Sequence, residues 1–175
     1  MSPVESALSK AGISVVAVIL VLARMRRSAH NDVAGFGFAP PKLVPALVLL
    51  FVYLGWMLLS DALLHWRGPW DFHPWMQAPL AASAFRMLAV CILGPAAEEL
   101  LFRGLLFRWL SDRVPVQATI AITAVAWALL HWSYPWAVIG VIVIDGLLLG
   151  LARWRTGSIA PPIVMHALYN FYAIW

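Results

Sequence analysis

Apolar residues run through this chain in long blocks, and polar residues break them at only a few places. Leu43 to Ser60 carries no charged side chain, and neither does Val114 to Ile144. Gly157 to Trp175 is likewise free of Asp, Glu, Lys and Arg, with His166 inside it. A helix needs about 20 mostly apolar residues to cross the hydrocarbon layer, so Val114 to Ile144 is too long for one span. Ser133-Tyr134-Pro135 divides it, since proline removes a backbone donor and the tripeptide favours a turn. The pattern predicts an all-α polytopic membrane bundle of six helices, over 11–23, 43–65, 80–107, 117–132, 136–152 and 159–175. The first is short and could recruit Val4 to Leu8. The third could break at Gly94-Pro95. The widest connection, Arg24 to Lys42, is expected to be an ordered surface loop.

Composition supports this reading. Of the 175 residues, 63% are hydrophobic and 11% charged, with ten Trp and one Cys. A soluble domain carries roughly 25% charged residues. One domain is expected at this length. The lone Cys91 excludes an intrachain disulfide and argues against a cysteine-based metal site. The net charge of +4 could suggest nucleic acid, but the basic residues read better as topology determinants, with no nucleic-acid partner. Arg24, Arg26, Arg27, Lys42, Arg108, Arg113, Arg153 and Arg155 follow helices 1, 3 and 5, whereas Lys10 and Arg67 stand on the opposite side. The positive-inside rule makes the first group cytoplasmic, with both termini outside. Trp66, Trp70, Trp75, Trp132, Trp136 and Trp175 fall near the outer interface, where indole is favoured. The arginines after the first apolar stretch, and the lack of a small-residue cleavage site, argue against a cleavable signal peptide.

Charge inside a membrane is costly and usually functional. The candidates are Arg86, Glu98, Glu99, Arg103, His131, Asp145, His166 and Asn170. Glu99 and Arg103 are four apart and can pair on one helix face; His166 and Asn170 share the same spacing. Glu98 lies 16 residues before Val114 and His131 lies 17 after it. At roughly 1.5 Å per residue both then sit about 24 Å from the cytoplasmic turn. A carboxylate and an imidazole could meet there and activate water. Each element has a plainer reading. Glu99–Arg103 could be structural, His131 a packed interfacial histidine beside Trp132, and His166 to Asn170 a helix–helix hydrogen-bonding stripe. Asp145 reads as a buried polar contact, and Gly146 and Gly150 as close-packing positions. His30, His65 and His73 fall at loops or ends and carry no catalytic signal.

The combination is sharper than its parts. EELLFR (98–103), WALLH (127–131), GLLLG (146–150) and HALYN (166–170) occur in that order. This resembles the CAAX-protease and bacteriocin-processing (ABI, CPBP) family of intramembrane endopeptidases. The family pattern is EExxxR, then an aromatic residue and a histidine with three residues between them, then small-residue helix packing, then HxxxN. RTGSIAPPIVMH (155–166) also looks like the family. The resemblance spans Leu88 to Tyr172, so 80–175 is expected to be the catalytic core, and 1–79 to supply helices and loops without a motif. Trp127 stands where Phe is usual and Val143 where an aromatic often precedes the glycines, departures that touch packing more than chemistry.

The resemblance implies hydrolysis of a peptide bond in a membrane-associated peptide or protein, as in CAAX trimming, bacteriocin maturation or sorting-signal processing. It implies that Glu98 and His131 activate the water, His166 and Asn170 stabilise the oxyanion, and Glu99 and Arg103 support the site, with no cofactor. A bacterial inner membrane is the expected location. The alternative mechanism is a zinc protease with Glu98, His131 and His166 as ligands, although no HExxH is present and an arginine near the glutamates opposes a cation. A non-catalytic immunity or scaffold protein of the same fold, and a small transporter, are the other classes. Oligomeric state is not legible from the sequence.

Overall fold

A computed structural model describes residues 3–27, 35–66, 71 and 73–174. Among these residues six helices form a bundle. They are α1 (Pro3–Arg27), α2 (Leu43–Leu64), α3 (Leu80–Ser111), α4 (Val116–Ala128, continued by a 3₁₀ turn Leu129–His131), α5 (Trp136–Thr156) and α6 (Ala160–Ala173). A 3₁₀ turn, His73–Trp75, precedes α3. Among the described residues the only bridge outside helices is the isolated pair Phe38 and Ser158.

Local sequence sets the helix ends. Pro79, Pro115 and Pro135 sit at the N-caps of α3, α4 and α5, where a missing N–H costs no helical hydrogen bond. α5 stops at Gly157, whose φ of 72° is the left-handed geometry that glycine adopts without a Cβ penalty. Among the described residues three helices are long and apolar enough to cross a membrane: Leu43–Leu64, Leu80–Ser111 and Trp136–Thr156. Val116–His131 is apolar but shorter. α2 shows why: Leu43, Val44, Leu47, Val48 and Phe51 are exposed, yet Leu49, Tyr53 and Met57 on its other face are buried. A helix apolar all round belongs in lipid. The chain is an integral membrane protein.

Three expectations change. The first helix is not confined to 11–23 but runs Pro3–Arg27, taking in Val4 to Leu8. The third does not break at Gly94-Pro95. It widens instead: Ala89–Leu93 and Leu100–Leu106 are π-helical, on either side of the α-helical Gly94–Glu99. Gly94 N–H reaches back five residues to Ala89 O. Proline clashes with the ordinary i−4 carbonyl, and the π register lets the helix continue past it. The fifth helix extends past 152 to Thr156, so Arg153 and Arg155 lie in its last turn rather than in a 153–158 loop.

Arg153 is also no loop cation. It is buried; its Nε donates to Arg103 O at 3.0 Å and its Nη2 to Gly35 O at 2.8 Å. This arginine ties the end of α5 to α3 and to the segment before α2. Lys42 N–H to Thr156 O at 3.1 Å and Ile159 N–H to Gly37 O at 2.8 Å complete the junction. Gly37 is required there: its φ is 93°, and a Cβ would come within 2.7 Å of Arg153 Nε. Of the connection from Arg24 to Lys42, 24–27 belong to α1 and 35–42 are held by these contacts, and 28–34, with His30, lie outside the described residues. So do Arg67, Trp70 and Trp175 and the side chain of Lys10. Trp132 and Trp136 are largely exposed at one end of the bundle.

Leu49, Tyr53, Phe102, Trp127, Leu149 and Met165 form the central core, joining α2 to α6. Met25, Phe36, Leu100 and Ile159 form a second cluster beneath α1.

Candidate active site

Glu98 and Glu99 follow one another on α3, about 100° apart around the helix axis. The bundle treats them differently. Glu99 is fully buried, and its Oε1 accepts from Arg103 Nη1 at 3.0 Å and lies 3.0 Å from His166 Nδ1. A carboxylate paired with arginine only accepts, so His166 carries its hydrogen on Nδ1 and points Nε2 the other way. Nε2 faces Glu98 Oε2 at 3.9 Å. The Glu98 side chain keeps 34% of its surface accessible, against 0% for Glu99.

Arg103 is fully enclosed. Its Nη2 donates to Gly146 O at 3.0 Å, and its guanidinium carbon lies 4.8 Å from the centre of the Trp127 ring. Gly146 is required here: a Cβ would lie 2.8 Å from Ala124 Cα and 3.2 Å from Arg103 Nη2. The small-residue positions therefore let α5 approach α4 and also leave the carbonyl of residue 146 within reach of Arg103. Glu99 Oε2 and Arg103 Nε are sealed without a hydrogen-bond partner among the described residues. Such orphaned buried groups cost stability, which suits a site selected for chemistry.

Trp127 is the residue whose importance the sequence understated. Its indole N–H donates to Glu98 Oε2 at 2.6 Å. Its ring stands edge-on to both imidazoles, with centroids 5.6 Å from His131 and 5.0 Å from His166. The departure from phenylalanine at 127 therefore touches chemistry as well as packing. The available signal was position: Trp127 is one turn before His131, on the face that His131 shares.

His131 and Glu98 do line one cavity, of about 650 Å³. The expected direct contact between them is absent: among the described residues no hydrogen bond joins the pair. His131 Nδ1 lies 3.4 Å from Trp127 O, and its ring packs against Tyr134. His131 ends α4 in a 3₁₀ turn, which rotates it away from the position that an unbroken α-helix would give. The imidazole nearest to Glu98 is His166.

His166 and Asn170 both turn into the bundle, as their spacing implies. Asn170 Nδ2 donates to Val90 O at 2.8 Å. Val90 is five residues before Pro95, which has no N–H to return. The proline of the Pro95 to Gly104 stretch thus leaves a carbonyl for Asn170 and fixes α6 beside Glu98. Asp145 is the buried polar contact anticipated for it, its Oδ1 accepting from Trp56 Nε1 at 3.0 Å. Arg86 lies apart from the glutamates, its guanidinium carbon 4.0 Å from the centre of the Trp75 ring. His65 and His73 are at α2's C-cap and in the turn before α3. Among the described residues no three His, Cys, Asp or Glu side chains are grouped as a metal site.

α3, α4 and α6 thus bring a carboxylate and two imidazoles, Glu98, His131 and His166, to the wall of a cavity inside a membrane bundle, with the Glu99–Arg103 pair sealed behind them. That defines a polytopic helical membrane protein with polar, titratable groups gathered at an internal cavity. Residues 80–172 match the Rce1-like family, described as type II CAAX prenyl endopeptidase Rce1-like, over more than half of the chain. The protein belongs to this family. No curated protein and no solved structure matched the chain individually. Membership supports a CAAX-type intramembrane endopeptidase, a hydrolase with a peptide or protein substrate in a membrane context.

Proposed function

We propose that the protein hydrolyses a peptide bond of a membrane-associated peptide or protein with Glu98 as the base that activates water. The observation that carries this reading is the unequal environment of the two glutamates. Glu99 is sealed and doubly engaged, whereas Glu98 lines the cavity with part of its carboxylate accessible. A water held by Glu98 has His131 and His166 on the same cavity wall. Glu98 takes its proton as the oxygen attacks the carbonyl carbon. His166, in its imidazolium form with a second hydrogen on Nε2, and the second amide N–H of Asn170 are the donors for the oxyanion, each such donor worth roughly 3–4 kcal/mol. Glu99 and Arg103 hold His166 in register. Glu98 then returns the proton to the leaving nitrogen, and the carbon–nitrogen bond breaks.

Hydrolysis without metal is part of this proposal. The Glu98 oxygen that faces His166 already accepts the Trp127 indole N–H, and Arg103 supplies the local positive charge. The substrate is a tethered peptide cut near the outer end of its anchor, as in processing of an exported protein's sorting helix or a bacteriocin precursor at a bacterial inner membrane. The reading is supported by the position of the cavity: Trp66, Ser133 and Tyr134, beyond the ends of α2 and α4, line it. That end is opposite the junction that gathers Arg24, Arg26, Arg27 and Lys42. Incubating a labelled membrane peptide with purified protein, beside Glu98→Gln, tests it. Equal cleavage by the two would remove Glu98 from the chemistry.

A further inference from the structure

One acid on the cavity wall has no part in the hydrolysis described above. Asp145 is 4% exposed. Its Oδ1 is held by Trp56. Its Oδ2 has no partner among the described residues and is not sealed, because the residue lines the same cavity as Glu98, His131 and His166. Tyr53, also buried, lines that wall from α2, and its ring lies 6.0 Å from that of Tyr169, centre to centre. No lysine or arginine among the described residues lines the cavity. Arg103 is committed to Glu99 and to the carbonyl of residue 146, and His166 is committed to Glu99 through Nδ1. A carboxylate left without a cation in a membrane interior is costly, and aromatic faces beside it attract positive charge.

We propose that Asp145, held by Trp56 and flanked on the cavity wall by Tyr53 and Tyr169, is a substrate subsite for a cationic side chain, a lysine or arginine of the peptide beside the bond to be cut. The ammonium or guanidinium pairs with Asp145 Oδ2 and rests against the tyrosine rings. The subsite adjoins the catalytic groups, since the residue after Asp145 gives its carbonyl to Arg103. Its wall residue Tyr53 and the indole that holds Asp145, Trp56, come from α2, outside the 80–172 family match, so it can set specificity in this chain separately from the shared chemistry. The inference rests on the endopeptidase reading of the same cavity.

The test uses synthetic membrane peptides in phosphatidylcholine nanodiscs, identical but for Lys or Met at positions flanking the cleavage site. The wild type should favour Lys at one position. Asp145→Asn keeps the acceptor for Trp56 and removes the charge, and should lower the Lys-to-Met ratio of kcat/KM about tenfold or more. No preference in the wild type, or an unchanged ratio in Asp145→Asn, overturns the subsite. A binding arm separates the two readings. Fluorescent Lys and Met peptides are titrated into Glu98→Gln, with and without Asp145→Asn. If nothing is cut but Lys is preferred and Asp145→Asn abolishes the preference, the subsite stands and the endopeptidase reading falls. If the peptides are cut without any Lys preference, the subsite falls and the endopeptidase reading stands.

Discussion

At the scale of single residues, adjacent glutamates are given opposite duties by what surrounds them. Glu98→Gln preserves the acceptor for Trp127 and loses the proton-accepting carboxylate. Cleavage should fall by about 10²–10⁴-fold, with the protein still inserted and its thermal unfolding in detergent little changed. Glu99→Gln should behave differently, because it breaks a sealed contact to both Arg103 and His166. Removing one partner of a buried ion pair costs about 3–5 kcal/mol, so this variant should lose activity and melt at lower temperature together. A Glu99→Gln protein as stable as wild type would show that the pair does not hold the site. Exhaustive chelation is expected to leave cleavage intact. Loss with EDTA and recovery with zinc would instead favour Glu98, His131 and His166 as ligands.

At the scale of elements, α3 and α5 carry the design. The π turns around Gly94–Glu99 let Pro95 remain inside a continuous helix, and Asn170 takes the carbonyl of Val90. The α4–α5 contact depends on Gly146. Gly146→Ala would press a methyl on the Ala124 backbone and on Arg103. Overpacking of this kind costs typically about 1–3 kcal/mol, and both stability and activity should drop. Gly104→Ala is the control: its nearest obstacle is Met25 Cε, the end of a flexible side chain. Thermal scans of the two in the same detergent should rank Gly146→Ala well below Gly104→Ala, and the reverse order would refute the close-approach account.

At the scale of the whole molecule, one end of the bundle gathers the basic residues. Arg24, Arg26 and Arg27 end α1, and Arg153 and Arg155 end α5. Burial of Arg153 removes one residue from the topology argument, and the others keep its sign. With Cys91 replaced, a cysteine at exposed Ser111 should be shielded from an impermeant thiol reagent in intact cells, and one at exposed Ser133 should react. The reverse pattern would invert the orientation and move the cavity mouth to the cytoplasmic side. Mass spectrometry of membrane-protein termini, wild type against Glu98→Gln, should find uncut species whose sites lie at the outer end of an anchor.

The sequence by itself determined the helices, their apolar environment, the family, and the pairs that lie along one helix. Glu99 with Arg103, and His166 with Asn170 on a common face, follow from a repeat of 3.6 residues per turn. What it left open was each helix's rotation about its own axis relative to its neighbours. That rotation depends on side chains packing from all sides, and on local changes of register such as the π turns beside Pro95 and the 3₁₀ turn at His131. It decided that Glu98, not Glu99, faces the cavity. It also decided that Trp127 rather than His131 bonds Glu98, and that Arg153 is a buried tie rather than a loop charge. Asp145 was legible as a buried acid; only the packing of α2 against α5 and α6 decided that one of its oxygens is open to the cavity.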